Sequence, residues 1–256
     1  MLDSAAPIEP FAPLAEIFPL AKKLAGYLPL SHEEQEYLRD LHCPRRRLAR
    51  HRELVVEGRR YDHLFILCAG VTLRYKVLPD GKRQALNVGL PGDFIGFPSC
   101  LFEAAVNSVS SLTEVEVAQV PFARLSELFA GYPRLGMALF WSAASDAAID
   151  AEHLVDLGRR PAYQRLAHLI LELLVRLRAV GLAGELAGAL PLTQELMADL
   201  LGLSTPHVNR MIRALREEGL ATLDEQRLVV HDLASLAALA GFDERYLARR
   251  PIPGLA

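Results

Sequence analysis

Residues 190–220 read LPLTQELMADLLGLSTPHVNRMIRALREEGL, and this stretch decides the fold of the C-terminal part of the chain. Thr193 is of the type that caps helices, and the apolar residues after it recur at the spacing of one helix face. Gly202 and Leu203 then form a short turn, after which Ser204 is predicted to cap a second helix with Pro206 in its first turn. Two helices joined by a short glycine-containing turn form a helix-turn-helix unit.

The second helix is predicted to bury one face and to present a polar one. Its predicted buried positions are Val208, Met211, Ile212 and Leu215. The positions predicted to face outward, on a surface that suits a DNA groove, are Thr205, Pro206, Asn209, Arg210 and Arg213, with His207 near their edge. Arg can donate two hydrogen bonds to guanine and Asn can bridge adenine, while Ser204, Thr205, His207 and the first-turn amides can reach phosphates. A helical hairpin with a solvated face would not explain the absence of acids from Thr205 to Arg216.

The segment after Leu220, ATLDEQRLVVHDL, has the pattern of two strands joined by a turn at residues 224–226. We therefore predict a wing, so that residues 159–256 form a winged helix-turn-helix domain. The amphipathic stretch AYQRLAHLILELLVRLRAVG would be its first helix, and GLAGELAGA a loop.

The N-terminal part has a different pattern. Leu14, Ile17, Phe18 and Leu24 lie at helical spacing, and Ser31 with Glu34 forms a capping-box motif. From about residue 47 to 120, short β-rich runs recur about every ten residues, with a hairpin turn at Asp80-Gly81. The fold class is therefore α+β, with N-terminal helices and an antiparallel, jelly-roll-like barrel as a sensor domain over residues 1–130.

A long helix is predicted within residues 131–158, because nothing from Pro133 to Leu157 except Gly136 would interrupt it. It mixes large apolar residues with small ones that would let a second helix approach. It either packs on its own barrel or forms a dimer seam through Met137, Trp141 and Ile149. Residues 158–161, Gly-Arg-Arg-Pro, then break the helix at a predicted hinge.

The composition excludes several classes of protein. The chain has 256 residues, of which 51% are hydrophobic and 23% charged, as in a folded globular protein rather than a disordered one. No run is long and apolar enough to span a membrane, and the N-terminal residues include acids where a signal peptide carries Lys or Arg, so we expect a cytoplasmic protein. The net charge of −3 requires any DNA-binding surface to be local.

From about residue 45 to 247 the chain resembles the Crp/Fnr family of bacterial transcription regulators. The stretches that carry the resemblance are LFILCAGVTLRYKVLPDGKRQALNVGLPGDFIGF in the barrel and the helix-turn-helix from Leu192. The resemblance implies a homodimer, joined through the long helix, that reads palindromic double-stranded DNA, with an RNA polymerase contact if the protein is an activator. It also implies that Thr205, Pro206, Asn209 and Arg210 face bases. The residues it places near phosphates are Thr193, Gln194, Ser204 and His207.

The chain departs from the cyclic-AMP-responsive members of that family. Those hold the ribose with a Gly-Glu pair and the phosphate with Arg-Ser or Arg-Thr. Here the corresponding positions of a degenerate effector pocket are Gly96-Phe97 and Asn107-Ser108. Without the cation, a buried phosphate is not neutralised, so we do not expect control by cyclic AMP. Thr205-Pro206 also replaces a frequent Arg-Glu pair, which puts the consensus half-site in doubt.

Other chemistry has little support in the sequence. Three scattered cysteines cannot hold an iron–sulfur cluster, and without a histidine pair on the barrel we predict neither a metal site nor an enzyme. No cofactor is predicted, although a haem held by one axial ligand would leave no spacing signature. Cys43 and Cys100 are either structural or redox-active thiols, whereas Cys68 is predicted to lie in the core. The alternative function is a ligand-binding signalling module whose C-terminal domain docks a protein rather than DNA.

Overall fold

The computed structural model describes residues 18–248 and 250–252, apart from the side chain of Cys100. Its helices are α1 (Pro19–Ala25), α2 (His32–Leu41), α3 (Phe97–Leu101), α4 (Phe122–Gly131), α5 (Pro133–Gly158), α6 (Ala162–Ala179), α7 (Gln194–Leu201), α8 (Thr205–Glu217) and α9 (Leu233–Ala240), followed by a 3₁₀ turn (Glu244–Tyr246). Its strands are β1 (Arg45–Leu48), β2 (Glu53–Val55), β3 (His63–Ala69), β4 (Thr72–Val77), β5 (Arg83–Gly89), β6 (Phe94–Ile95), β7 (Ser108–Ser111), β8 (Val115–Pro121), β9 (Ala187–Ala189), β10 (Ala221–Asp224) and β11 (Arg227–Val230).

The predicted antiparallel barrel is confirmed as two four-stranded sheets. Their strand orders are β1-β8-β3-β6 and β2-β7-β4-β5. The β4–β5 hairpin turns at Asp80-Gly81, where Gly81 has a φ of +81° that favours glycine. Cys68 is buried as predicted, and burial raises the pKa of its thiol to about 11.

The N-terminal helices cover the β1-β8-β3-β6 sheet. Ser31 and Glu34 form the predicted capping box, with each side chain accepting from the other residue's backbone N–H. Phe18 and Leu24 lie in the described part of this region, whereas the predicted helical positions Leu14 and Ile17 lie outside it. Leu24 belongs to a core shared by α1, α2, α4 and α5.

The long helix α5 confirms the prediction, since it runs from Pro133 without interruption and ends at Gly158. The next helix, α6, begins at Ala162, after Pro161. The chain therefore changes direction at the predicted Gly-Arg-Arg-Pro segment.

The C-terminal domain contains the two predicted helices α7 and α8 and the β10–β11 wing. The stretch GLAGELAGA was wrongly predicted to be only a loop, because its residues 187–189 form β9 and pair with β11. The domain also packs on the barrel: one hydrophobic core joins Leu73 and Val88 of the barrel to Leu173 of α6 and Leu200 of α7. The hinge thus links two bodies in direct contact.

Candidate nucleic-acid interface and ligand cavity

The first helix of the pair and the turn after it are built as the sequence predicts. Thr193 Oγ1 accepts the Leu196 N–H at 3.2 Å, which satisfies a backbone donor that the helix itself leaves free. At the other end of α7, Gly202 has a φ of +62° and its N–H donates to the Ala198 carbonyl. The turn therefore has a stable geometry that sets the direction of α8.

Ser204 is at the N-cap position of α8, but the prediction that its side chain caps the helix is wrong. Pro206 has no N–H to donate, and the His207 N–H donates to the Ser204 carbonyl oxygen at 2.9 Å. The hydroxyl of Ser204 is exposed and makes no capping hydrogen bond. It stands at the positive end of the helix dipole, where anions are stabilised.

The two faces of α8 differ as predicted. Val208, Met211, Ile212 and Leu215 are buried in the domain core. On the opposite face the side chains of Pro206, Asn209, Arg210 and Arg213 are exposed, whereas Thr205 and His207 are half-buried. Arg213 Nε donates to Glu217 Oε1 at 2.9 Å, so the Arg213 guanidinium is paired with a carboxylate that DNA binding would have to displace.

Thr193 and Gln194, the other two predicted phosphate contacts, are half-buried at the start of α7. Two exposed arginines were not predicted to take part. Arg216 lies one turn beyond Arg213 on the outer face of α8, and Arg227 begins the second strand of the wing. Arg216 lies on α8 and Arg227 lies beside the wing tip. Because both elements face outward, these positions could have indicated the two arginines as further phosphate contacts.

The outward face of α5 shows which residues a second helix could reach. At alternating steps of three and four residues, the spacing of a coiled-coil seam, every residue is exposed. These residues form what we call the outer stripe of α5: Met137, Phe140, Ala144, Ala147, Ala151, Leu154 and Gly158. Phe140 and Leu154 are 65% and 72% exposed. The stripe is thus large and apolar near its ends and small in the middle.

Of the three predicted seam residues, only Met137 belongs to the outer stripe. The prediction that Ile149 lies in the seam is wrong, because this residue is 6% exposed and lies against its own chain, close to Tyr27 and Arg176. Trp141 is half-buried against the core beneath α5. The register of α5 could not be predicted from its periodicity, and the burial of one face by the barrel determines it.

A cavity of about 70 Å³ lies between the barrel, α5 and α6, where the resemblance implied an effector pocket. Gly96 and Asn107 line it as predicted. Phe97 and Ser108 do not line it, which corrects the prediction: Phe97 packs toward the N-terminal helices and Ser108 Oγ accepts the Glu57 N–H at 3.0 Å. The cavity is far smaller than the roughly 300–1,000 Å³ of most ligand pockets.

The expectation of a pocket without cations is wrong, because Arg74 and Arg176 both line the cavity. Neither carries free charge: Arg74 Nη2 donates to both carboxylate oxygens of Asp150 at 2.7 Å, and Arg176 Nη1 donates to Glu172 at 2.9 Å. These arginines come from β4 and α6, outside the segment in which the sequence places the phosphate-binding residues, so sequence reasoning missed them.

Carboxylates add to this charge balance. Asp93 is paired with Lys23 at 2.8 Å, and Asp146 lies 3.8 Å from the same ammonium. Burial and the neighbouring charge of Asp93 raise the pKa of Asp146, although Lys23 opposes them. The cavity wall thus carries two arginines and two carboxylates, Asp93 and Asp146, and each arginine is already paired, which disfavours an anionic ligand.

Arg176 also connects the two domains. Its guanidinium donates to Asn87 Oδ1 at 2.9 Å and to the Val88 carbonyl at 2.6 Å, both on β5. On the other side His153 of α5 binds Glu172 at 3.0 Å. Burial alone would raise the pKa of Glu172, but the hydrogen bond and charge of His153 and the charge of Arg176 lower it to about 2. A residue of the C-terminal domain thus forms part of the cavity wall.

The remaining candidates are isolated. Cys43 is exposed, and its redox role stays a prediction; Cys100 lies in the short helix α3 rather than in a loop, and its side chain is outside the described part. Over residues 18–248 and 250–252, no three His, Cys, Asp or Glu side chains come together as metal ligands. No helix in that same part is long and apolar enough to cross a bilayer.

Comparison with known proteins matches both domains. Residues 45–132 match the cyclic nucleotide-binding domain model, and residues 164–239 match the Crp-like helix-turn-helix domain model. The solved structure of FixK2 from Bradyrhizobium japonicum is similar in fold, with a TM-score of 0.70 and 24% identity over 78% of this chain and 98% of that one.

Curated relatives agree with this match. The nitrogen fixation regulation protein FixK of Bradyrhizobium diazoefficiens is 32% identical over 172 residues, covering 67% of this chain and 71% of the relative. The transcriptional activator protein FnrL of Cereibacter sphaeroides is 28% identical over 194 residues, covering 74% and 77%. With its two matched domains, its long helix and its exposed recognition helix, the chain belongs to the Crp/Fnr family of DNA-binding transcription regulators, a family of regulators rather than enzymes.

Proposed function

We propose that the protein acts in the cytoplasm as a homodimer that reads an inverted-repeat DNA sequence through α8. The observation that carries this is the outer face of α8, which is exposed and free of acids from Thr205 to Arg216 while its opposite face is buried. Asn209 and Arg210 have the side chains that read adenine and guanine edges in the major groove. Ser204 and the first-turn amides would bind the adjacent phosphates.

The outer stripe of α5 supports the dimer. A face of alternating three- and four-residue steps, with alanines in its middle, fits a second copy of the same helix at close distance. Two α8 helices related by the resulting two-fold axis would lie about one turn of DNA, ~34 Å, apart. Because relatives are named as transcriptional activators, we also propose that the DNA-bound dimer contacts RNA polymerase.

Selection from random-sequence DNA tests this function. We expect enrichment of two inverted half-sites with a centre-to-centre spacing of about 10 base pairs. A single unrepeated half-site would contradict the dimer. Failure to shift any DNA in electrophoresis would instead favour a C-terminal domain that docks a protein.

We further propose that the effector is not a cyclic nucleotide and that no resident cofactor is required. Arg74 and Arg176 are each held by a carboxylate, and two further carboxylates, Asp93 and Asp146, line the cavity. A phosphate would have to displace Asp150 or Glu172 from its arginine, which would leave a poorly paired carboxylate. Calorimetry should therefore show no micromolar binding of cyclic AMP or cyclic GMP, and neither nucleotide should change DNA affinity; binding with a tenfold gain in affinity would refute this proposal.

A further inference from the structure

The C-terminal segment of the chain returns from the winged domain to the N-terminal domain. Ile252 is 3% exposed, and its side chain lies in the hydrophobic core that contains Leu20 and Leu24 of α1. Its N–H donates to the carbonyl oxygen of Tyr27 at 2.8 Å. This residue is thus anchored by packing and by a backbone hydrogen bond to a different domain from the one it follows in sequence.

The middle of the same segment is attached to α6. The hydroxyl of Tyr246 donates to Glu172 Oε2 at 3.2 Å, and its ring stacks on His168 with centroids 6.0 Å apart and planes at 8°. Phe242 contacts the same histidine ring edge-on at 5.1 Å. Tyr246 therefore binds the carboxylate that also holds Arg176 and His153.

We propose that the core beneath α1 is the docking site of the chain's own residues 242–248 and 250–252, which we call the C-terminal clasp, and that the clasp holds the winged domain on the sensor domain in the orientation that binds DNA. Both contact partners, α1 and the clasp, lie outside residues 45–132 and 164–239, which the two family models match. The proposal's DNA-binding part rests on the proposed function above.

The clasp adds to several attachments between the domains. They include the hydrophobic core that joins Leu73 to Leu200, the donation from Arg176 to β5, and the ion pair between Arg83 of the hairpin and Asp199 of α7. The covalent connection is only the short segment between α5 and α6, residues 159–161. The clasp also lines a cavity of about 60 Å³, to which Tyr246, Leu247 and Lys23 all contribute.

A fixed domain orientation affects one kind of DNA binding more than another. Two recognition helices that are already held in position lose less conformational freedom when both engage one DNA molecule. A single half-site is bound by one domain, and the Ile252 anchor of the clasp lies outside the core of that domain. Loss of the clasp should therefore weaken binding to an inverted repeat and leave binding to a half-site unchanged.

The first measurement is trypsin cleavage between Arg159 and Arg160 in the full chain, since the following Arg160–Pro161 bond resists trypsin. In Ile252→Asp the buried carboxylate should detach the clasp and accelerate this cleavage at least tenfold. Arg250→Ala, which changes an exposed residue of the same segment, is the matched control and should cleave at the wild-type rate. Unchanged cleavage in Ile252→Asp would overturn the proposal.

The second measurement compares affinities for the selected inverted repeat and for one half-site. We expect Ile252→Asp to lose about tenfold on the repeat and nothing on the half-site; tighter binding to the repeat would overturn the proposal. Tyr246→Phe is a second variant that guards against misfolding, because it keeps the ring and removes only its hydrogen bond to Glu172. It should show a smaller loss of affinity for the repeat. Circular dichroism must show native helix content in both. If no DNA is bound at all, the cleavage arm still decides whether the clasp holds the domains.

Discussion

The two helices α5 and α8 have the same construction and opposite chemistry on their outward faces. Each buries one face against its own chain, α5 on the barrel and N-terminal helices and α8 in the winged domain. The face left over is apolar on α5 and polar on α8. Since a buried interface requires apolar or paired groups and a DNA groove requires donors, this difference supports the proposed protein partner for α5 and the proposed nucleic acid for α8.

The largest expected effect follows from a charge on the outer stripe of α5. Leu154→Glu places a carboxylate in the seam of both protomers, and at about 2 kcal/mol for each hot-spot residue the dimer loses on the order of 4 kcal/mol, roughly a thousandfold in Kd. Sedimentation should show monomers at micromolar concentration. Affinity for an inverted repeat should fall with the dimer.

Two controls sharpen this test. Phe129→Glu changes a half-exposed apolar residue of α4 and should leave the dimer intact. Ile149→Glu should instead lower the free energy of unfolding, because Ile149 is buried inside its own chain. A Leu154→Glu protein that stays dimeric would show that α5 does not form the seam.

A smaller effect is expected on α8. Arg210→Ala should cost about 1–3 kcal/mol of binding and relax one base position if Arg210 reads a base. The matched control is Arg178→Ala, which removes an exposed arginine of α6. Competition between operator variants measures both quantities, and an equal loss on every sequence would make Arg210 a phosphate contact.

The two N-caps of the helix-turn-helix should respond differently. Thr193→Ala removes a capping hydrogen bond and should lower the free energy of unfolding by about 1 kcal/mol. Ser204→Ala should leave it nearly unchanged, since the Ser204 side chain caps nothing, while weakening DNA binding. Urea denaturation of both variants provides the measurement. Equal losses of stability would contradict the difference between the caps.

The smallest expected effect is a pH dependence of stability from His153 and Glu172. Burial lowers the pKa of His153, but the hydrogen bond and charge of Glu172 raise it above its ordinary 6.5. The contribution of His153 is therefore complete below pH 6.5 and is lost as the pH rises through the raised pKa. The contribution of Glu172, whose pKa falls from 4.5 to about 2, is complete above pH 4.5 and is lost as the pH falls toward 2.

His153→Gln should reduce the loss of unfolding free energy that the wild-type protein shows as the pH rises above 6.5. Chemical denaturation at several pH values measures the slope. His32→Gln, which changes an exposed histidine at the start of α2, is the control and should keep the wild-type slope. If both variants keep it, the pair between α5 and α6 does not titrate as described.

The features that could be predicted from the sequence are those that depend on neighbours along the chain. The helix-turn-helix, its Gly202 turn, the β4–β5 hairpin and the length of α5 follow from capping residues, glycines and periodicity, all of which act within a few residues. The outer face of α8 could be predicted for the same reason. The spacing of apolar and polar residues along one amphipathic helix identifies both of its faces.

The residues that meet across the fold could not be predicted in this way and are known from the packing of the folded chain. The register of α5 depends on which of its apolar residues the barrel covers. The prediction that Ile149 lies in the seam was wrong because the spacing of residues along α5 does not indicate the covered face. Arg74 and Arg176 reach one cavity from β4 and α6, and Ile252 reaches α1 from the far end of the chain. Their contacts are long-range and set by packing between domains, and periodicity carries no information about which distant side chain will be the neighbour.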